Sequence, residues 1–326
     1  MASSDSAAGS DFMKFFIDSV GNPTKNSMVL LPETLGSGYI KTHFLEELDV
    51  MLQHYVLKDD LLIYIKAAVT ERGRNEITFS FRNVLPKKAM NDDSPQQHGS
   101  RPIPSVQVSS AVIDIELFIP AGTPVNTIII GIQADFLRQL LTTNANHPLL
   151  QNIFATDRPY LYDEILSPEI QQAALEMIAP GIPEPLRDFY LRLKAETLLY
   201  LFFVTLLKRQ EVTRYTVSSS DVRVMYRIRE QLLVDLSVPP NLTALARFSN
   251  MSESKMNKLF KQIFGNSIYK YYQVLRIHEA AHLLKSEKVT VSEAGYRLGF
   301  TNLSHFTRIF EKHMGYKPKK YAMQVA

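Results

Sequence analysis

The last third of the sequence contains a duplicated segment, and this duplication restricts the fold more than any other feature. The first copy has the spaced residues Leu245-Ala246, Ser252, Met256, Phe260, Gly265 and Tyr271. The second copy, 49 to 50 residues later, has Ala294-Gly295, Thr301, Phe306, Phe310, Gly315 and Tyr321. Each copy predicts a short helix, a tight turn, an N-cap and a second amphipathic helix that ends at glycine.

The offset between the two copies is 49 residues up to the pair Ser252 and Thr301, and 50 residues from the pair Met256 and Phe306 onwards. The second copy is therefore expected to carry one extra residue at the start of its second helix. Ser252 is the expected N-cap in the first copy, and Thr301 or Asn302 is the expected N-cap in the second. This order of elements is typical of the helix-turn-helix, whose second helix enters the major groove of DNA.

The second helix of each copy has one apolar face and one polar face. The expected buried residues are Met256, Leu259 and Phe260 in one copy and Phe306, Ile309 and Phe310 in the other. Amide, cationic and hydroxyl side chains occupy the opposite faces, and these types contact base edges and phosphates. The candidate DNA-binding residues are Ser252, Ser254, Lys255, Asn257, Lys258, Lys261, Thr301, Asn302, Leu303, Ser304, Thr307 and Arg308.

One predicted helix, residues 267–286, connects the two copies. Its apolar positions are placed to pack against both, so it is expected to fix their spacing. The second helix of each copy is called its reading helix. The two reading helices would then enter successive major-groove segments on one face of the DNA, about 34 Å apart.

Charge is unevenly distributed along the chain. Residues 222–326 hold 17 Lys/Arg and 7 Asp/Glu, whereas residues 1–221 hold 19 and 26, although the net charge is only +3. A basic final third on an acidic body is typical of a polyanion-binding module joined to another kind of domain.

Two runs of residues in the duplicated region resemble the AraC/XylS transcription regulators. They are LARFSNMSESKMNKLFKQIFG (245–265) and AGYRLGFTNLSHFTRIFEKHMGYKPKKY (294–321), with Arg276 and Ala280 in the connecting helix. The resemblance covers about 100 residues. It implies binding to promoter DNA and contact with RNA polymerase. By position in the motif, it implies base contacts from Ser254, Asn257, Lys258, Leu303, Ser304, Thr307 and Arg308.

Residues 12–208 are expected to form a different kind of domain. Short predicted strands between about 27 and 132, separated by Gly- and Pro-containing turns, favour a small antiparallel barrel or sandwich. The resemblance implies a cupin-like sensor with packed helices that binds an unknown small-molecule effector and dimerises. The fold class is therefore α+β. A disordered tail (1–11), a linker (209–221) and an all-α domain with two helix-turn-helix units (222–326) complete the predicted organisation.

The predicted helix 185–208 is apolar on most of its faces. The three-to-four series consists of Leu186, Tyr190, Leu193, Thr197, Tyr200, Val204 and Leu207. A helix of this kind must be covered on more than one side. Two interpretations remain open: it is a core helix of a monomer, or it packs on the barrel and also on a second subunit.

Two other function classes compete with regulation of transcription. His278, Glu279 and His282 match the H-E-x-x-H pattern of zinc hydrolases. Their position between the two helix-turn-helix units instead favours a solvated helix face near phosphates. The third class is an interaction protein whose amino-terminal domain binds a partner protein and no small molecule.

Several other sites are not expected from the sequence. The chain has no cysteine, which excludes thiol nucleophiles and Cys-ligated metals. No metal is expected in the barrel, because His43, His54, His98 and His147 do not form a ligand cluster. No catalytic residues or effector-binding residues are assigned. Without a secretion signal or a membrane-spanning segment, the protein is expected in the cytoplasm.

Overall fold

The computed structural model describes residues 28–45, 47–65, 75–84, 103–110, 114–141, 147–155, 159–178, 181–209 and 217–323. The chain divides into two compact units, and the main division falls between Ser219 and Ser220. The expected disordered tail, residues 1–11, lies outside the described residues.

The amino-terminal unit is built on antiparallel strands. Their bounds are β1 Met28–Leu30, β2 Gly36–Leu45, β3 Leu48–Leu57, β4 Leu61–Ile65, β5 Glu76–Arg82, β6 Ser105–Ser109, β7 Ile115–Ile119, β8 Pro124–Gln133 and β9 Leu161–Ile165. A seven-stranded sheet has the order β1-β2-β3-β8-β5-β6-β9, and β4 pairs with β7 in a separate sheet.

The expected cupin-like barrel is not confirmed, because the described strands form no closed barrel. β1 and β9 are the two ends of the seven-stranded sheet, and β4 and β7 pair only with each other. Closure requires every strand to pair on both sides. The sequence pattern does not mark β2, β6 and β9 as strands, because many of their side chains carry hydroxyl groups or charges.

Helices cover one face of the large sheet. They are α1 Ala134–Leu140, α2 Pro148–Phe154, α3 Pro168–Met177 and α4 Arg187–Leu206. Alternation along β5 directs Ile77, Phe79 and Phe81 into the core beneath these helices, while Thr78, Ser80 and Arg82 face the other side. The aromatic rings of Phe79, Phe202 and Phe203 meet edge to face, with centroids 5.2–5.9 Å apart.

The long helix α4 buries a face that differs from the one the sequence pattern emphasised. Its buried residues are Leu191, Ala195, Leu198, Leu199, Phe202, Phe203 and Leu206. The three-to-four series instead lies outside this core: Leu186, Leu193 and Tyr200 are 55%, 45% and 65% exposed. A core helix of a monomer would bury the three-to-four series as well. The core-helix interpretation therefore accounts for the buried face of α4 but not for the exposed series.

The carboxy-terminal unit is entirely helical in its described part. The helices are α5 Ser219–Val234, α6 Leu242–Ser249, α7 Glu253–Phe264, α8 Ile268–His282, α9 Val291–Arg297, α10 Leu303–Met314 and α11 Pro318–Met323. The helix α8 continues as a π-helical turn, Leu283–Glu287, which ends at Lys288 in the left-handed region (φ 54°). The predicted connecting helix 267–286 is therefore one α-helix followed by a wider turn.

Replacement of Phe202 by alanine is expected to destabilise the protein by about 3–5 kcal/mol, because the ring is fully buried against Phe79 and Phe203. Leu140→Ala at the exposed end of α1 is the matched control and should change the free energy of unfolding by less than about 1 kcal/mol. Urea unfolding followed by circular dichroism measures both. Equal losses in the two variants would contradict the assignment of the core.

Candidate nucleic-acid interface

The first helix-turn-helix unit consists of α6, a three-residue turn and α7. Asn250 takes the left-handed conformation in the turn (φ 53°), which an asparagine tolerates better than most residues. The hydroxyl of Ser252 accepts a hydrogen bond from the backbone N–H of Lys255 at 3.3 Å and so caps α7. Gly265 ends the helix at φ 72°. The predicted start and end of this reading helix are confirmed.

The second unit consists of α9, a longer turn and α10. Asn302, rather than Thr301, is the N-cap: its side-chain oxygen accepts from the backbone N–H of His305 at 2.9 Å. The caps Ser252 and Asn302 are 50 residues apart. The extra residue of this copy therefore lies in the turn before α10, and its predicted place at the start of the helix is wrong.

The reading helices bury the faces that the sequence assigned to the core. Met256, Leu259 and Phe260 are buried in α7, and Phe306 and Phe310 are buried in α10. Ile309 is only half-buried, at the margin of the second cluster. The opposite faces lie outside the buried core, except that Leu303 packs at the margin of the second cluster.

The predicted DNA-binding side chains lie mainly at the surface. The exposed residues are Ser252, Ser254, Lys255, Lys258, Thr301, Asn302, Ser304 and Arg308, and the half-buried ones are Asn257, Lys261, Leu303 and Thr307. Cations and hydroxyl groups can reach phosphates or bases from this arrangement. Two of the half-buried residues have further contacts that bear on base reading.

Asn257 is engaged within the protein. Its Oδ1 accepts a hydrogen bond from the backbone N–H of Ile268 at 3.3 Å, at the start of α8. The N-cap of α8, Ser267, provides no such side-chain bond. A paired contact to adenine uses both the oxygen and the nitrogen of the amide, and the bond to Ile268 already takes one of the two lone pairs of Oδ1.

Leu303 packs partly on the apolar cluster of the second unit. A Cβ atom placed on Gly295 would lie 2.7 Å from Leu303 Cδ2, which is shorter than a van der Waals contact. Gly295 therefore provides the room for Leu303 to fold back on α9.

The connecting helix α8 is buried among both units, and Arg276 is its main polar anchor. The guanidinium carbon lies 3.6 Å from the centroid of the Phe300 ring, and Nε donates to the carbonyl oxygen of Leu298 at 2.8 Å. In the first unit, Arg229 Nε donates to the hydroxyl of Tyr271, whose ring packs on Phe260. These contacts join α8 to the turn of one unit and to the core of the other.

The H-E-x-x-H segment lies in α8, where Ala280 and Ala281 are buried. His278 is half-buried, and its burial together with nearby His313 lowers its pKa from 6.5 to about 4. The imidazole is therefore neutral near pH 7, and the expectation of a solvated histidine near phosphates is wrong for His278. Within the described ranges, no three His, Cys, Asp or Glu residues are arranged to hold a metal ion.

Comparisons with known proteins agree with this geometry. Residues 245–324 match a family described as a helix-turn-helix domain. The HTH-type transcriptional activator RhaR of Cronobacter sakazakii is 25% identical over 140 residues, 43% of this chain and 50% of RhaR. The regulatory protein PchR of Pseudomonas aeruginosa is 32% identical over 127 residues, 38% of this chain and 43% of PchR.

A solved structure of a probable AraC family transcriptional regulator from Rhodopseudomonas palustris is 24% identical and covers 32% of this chain and 97% of that one, with a TM-score of 0.30. The chain spans half or less of the length of the two curated relatives. The resemblance of the carboxy-terminal domain to the AraC/XylS regulators is confirmed. None of the described helices is long and apolar enough to cross a membrane.

His278→Gln is expected to make the stability less sensitive to acid. Because the pKa of His278 is about 4 in the folded protein and near 6.5 in the unfolded chain, its contribution is complete above pH 6.5 and is lost as the pH falls toward 4. Between pH 7 and pH 5 this loss is on the order of 1–2 kcal/mol.

Urea unfolding of the full chain at the two pH values, followed by far-ultraviolet circular dichroism, measures the difference. His305→Gln on the exposed side of α10 is the control. An equal loss on acidification in wild type and His278→Gln would contradict the assigned burial.

Proposed function

We propose that this protein, whose carboxy-terminal domain is of the AraC/XylS type, is a sequence-specific DNA-binding regulator of transcription. The observation that carries the proposal is the pair of capped amphipathic helices, α7 and α10, each with a buried apolar face and an exposed polar face. The connecting helix α8 would hold them at the spacing of successive major grooves.

The two reading helices are proposed to contribute different contacts. In α10, Arg308 is suited to two hydrogen bonds with guanine, and Ser304 and Thr307 to base or phosphate oxygens. In α7, Ser254 and Lys258 are exposed at equivalent positions, and Asn257 also accepts a hydrogen bond from the backbone N–H of Ile268. Phosphate contacts from Lys255 and Lys261 would supply affinity without sequence preference.

Regulation is proposed to act through the amino-terminal unit. A small molecule bound there would stabilise one of two states that differ in DNA binding or in assembly. Activation through contact with RNA polymerase is the favoured outcome, since the similar RhaR is named a transcriptional activator. The alternative is a regulator that needs no effector or responds to a partner protein.

A homodimer is proposed through the exposed stripe of α4. Leu186, Leu193, Tyr200 and Leu207 recur every seven residues and are all exposed, with Tyr190, Thr197 and Val204 between them. A seven-residue apolar repeat is the pattern by which two helices pack along a common seam. An exposed apolar stripe of this length is unfavourable in water unless another surface covers it.

Arg308→Ala is expected to weaken binding to the cognate operator by about 1–3 kcal/mol, because a base-reading guanidinium discriminates between sequences. Lys261→Ala should instead weaken binding to all DNA and reduce the salt dependence by about one phosphate contact. Fluorescence anisotropy with operator and scrambled duplexes over a range of salt concentrations measures both. The same loss on the two duplexes for Arg308→Ala would assign that residue to a phosphate.

Tyr200→Asp is expected to convert the dimer into a monomer, because it places a charge at the centre of the proposed seam. Leu140→Asp, also at an exposed apolar position but away from the stripe, should leave the dimer intact. Sedimentation equilibrium of the full chain separates these outcomes. A monomeric wild type, or a dimeric Tyr200→Asp variant, would refute the seam.

A further inference from the structure

The loop between α5 and α6 contacts both helix-turn-helix units. It consists of residues 235–241 and follows α5, whose Tyr226 ring packs on Phe264 of α7 with centroids 5.3 Å apart. The loop ends at Asn241, the N-cap of α6, whose side-chain oxygen accepts a hydrogen bond from the backbone N–H of Ala244 at 3.0 Å. Both ends of the loop are therefore fixed in the first unit.

The middle of this loop packs on the second unit. The side chain of Leu236 is half-buried against the apolar cluster of that unit. The backbone of Ser237 lies beside Gly299, in the turn between α9 and α10: a Cβ atom placed on Gly299 would lie 2.2 Å from the Ser237 carbonyl oxygen. Every other residue type carries a Cβ, so a substitution at Gly299 would collide with the loop, in addition to the strain of its φ of 72°.

Tyr272 of the connecting helix α8 joins the loop to this turn. Its hydroxyl donates to the carbonyl oxygen of Leu236 at 2.9 Å, and the residue is 1% exposed. The guanidinium carbon of Arg276, one turn further along α8, lies 5.3 Å from the centroid of the Tyr272 ring, and its Nε donates to Leu298 in the turn. The Tyr272 bond favours one position of the loop, because the buried hydroxyl would otherwise lose its partner.

The loop is also restricted in its own conformation. Asp235 Oδ1 accepts hydrogen bonds from both the backbone N–H and the hydroxyl of Ser237, at 2.8 and 2.7 Å. Pro239 and Pro240 follow, and each proline restricts its own φ to about −65°. Such a loop can hold the surfaces that it contacts at a fixed separation, because little conformational entropy is gained when it detaches.

These contacts connect the two units at a second place. The covalent connection is α8, which ends in the π-helical turn Leu283–Glu287. A π-helical turn is a point at which helices bend, so a contact beyond α8 limits the angle between α7 and α10. The four residues Leu236, Ser237, Tyr272 and Gly299 are called the junction.

We propose that the junction fixes the second unit relative to the first and so determines the base-pair separation between the two DNA elements that α7 and α10 contact. Leu236 and Tyr272 are its positioning residues, and they act on DNA only through the reading helices. This inference rests on the proposed function, because a preferred separation exists only if both helices enter DNA. Two linked contacts gain full affinity only when their separation on the DNA matches their separation on the protein.

Two variants disrupt the junction, and each has a control outside it. Tyr272→Phe removes the hydroxyl that bonds Leu236 and keeps the ring. Tyr271→Phe, one residue earlier, also removes a buried hydroxyl, but the partner of that hydroxyl is Arg229 of the first unit. Leu236→Ala removes the packing of the loop on the second unit, and Val238→Ala, 59% exposed in the same loop, is its control.

The first measurement contains no DNA. The chain has no cysteine, so Ser254→Cys and Ser304→Cys place one nitroxide label at an exposed position of each reading helix. Double electron–electron resonance of the full chain, diluted with unlabelled chain, gives the distribution of distances between the two labels of one molecule. Tyr272→Phe and Leu236→Ala should broaden or shift this distribution.

A distribution that stays unchanged in Tyr272→Phe, or that changes equally in Tyr271→Phe, would overturn the proposal. Far-ultraviolet circular dichroism checks that each variant is folded. If Leu236→Ala does not fold, Tyr272→Phe decides alone.

The second measurement uses DNA that the wild-type full chain selects from a randomised duplex library. Arg308→Ala and Ser254→Ala locate the elements contacted by α10 and α7, and base pairs are then inserted between these elements. Each base pair moves one element by about 3.4 Å and rotates it by about 35° relative to the other. In fluorescence anisotropy, one inserted base pair should weaken binding of the wild type and of Tyr271→Phe about tenfold, and binding of Tyr272→Phe about threefold or less.

Equal losses in the wild type and Tyr272→Phe, large or small, would overturn the proposal and leave the proposed function intact, since the selected DNA would still be bound. A wild type that selects no DNA would contradict the proposed function and the preferred separation with it. The label distances would still show in that case whether the junction holds the two units together.

Discussion

The buried guanidinium of Arg276 lies flat on the Phe300 ring and donates to the Leu298 carbonyl, and the carboxy-terminal unit depends on this contact. A guanidinium removed from water needs hydrogen bonds and a polarisable surface in exchange. Both come from the turn of the second unit, while Arg229 and Tyr271 form a comparable link in the first. The connecting helix α8 therefore sets the positions of α7 and α10 through packing inside the unit.

Some side chains on the reading helices also make contacts inside the protein, which limits how they can contact DNA. Asn257 caps the start of α8, and the room beside Gly295 lets Leu303 pack back toward the core. Both positions look like base-reading positions in a motif, yet both side chains also serve the fold. In contrast, Arg308 and Ser254 are exposed and contribute nothing to core packing, so they can be replaced without the loss of a buried contact.

The two faces of the amino-terminal sheet differ in composition. The helix-covered face buries aromatic and aliphatic side chains, which supply most of the favourable free energy of folding. The other face carries hydroxyls, amides and one ion pair at buried or half-buried positions. A sheet face of this kind stabilises the fold less than an apolar one.

The sequence by itself determined the duplicated helix-turn-helix units, because N-caps, terminal glycines and the three-to-four apolar spacing are local signals. The Ser252 cap and the buried Phe260 and Phe310 all followed from such patterns. Only the tertiary structure decided which face of α4 is buried, that the described strands remain an open sheet, and that Asn257, His278 and Leu303 are engaged within the protein. The reason is that burial depends on what packs against a residue, and neighbours distant in sequence leave no periodic signal of their own.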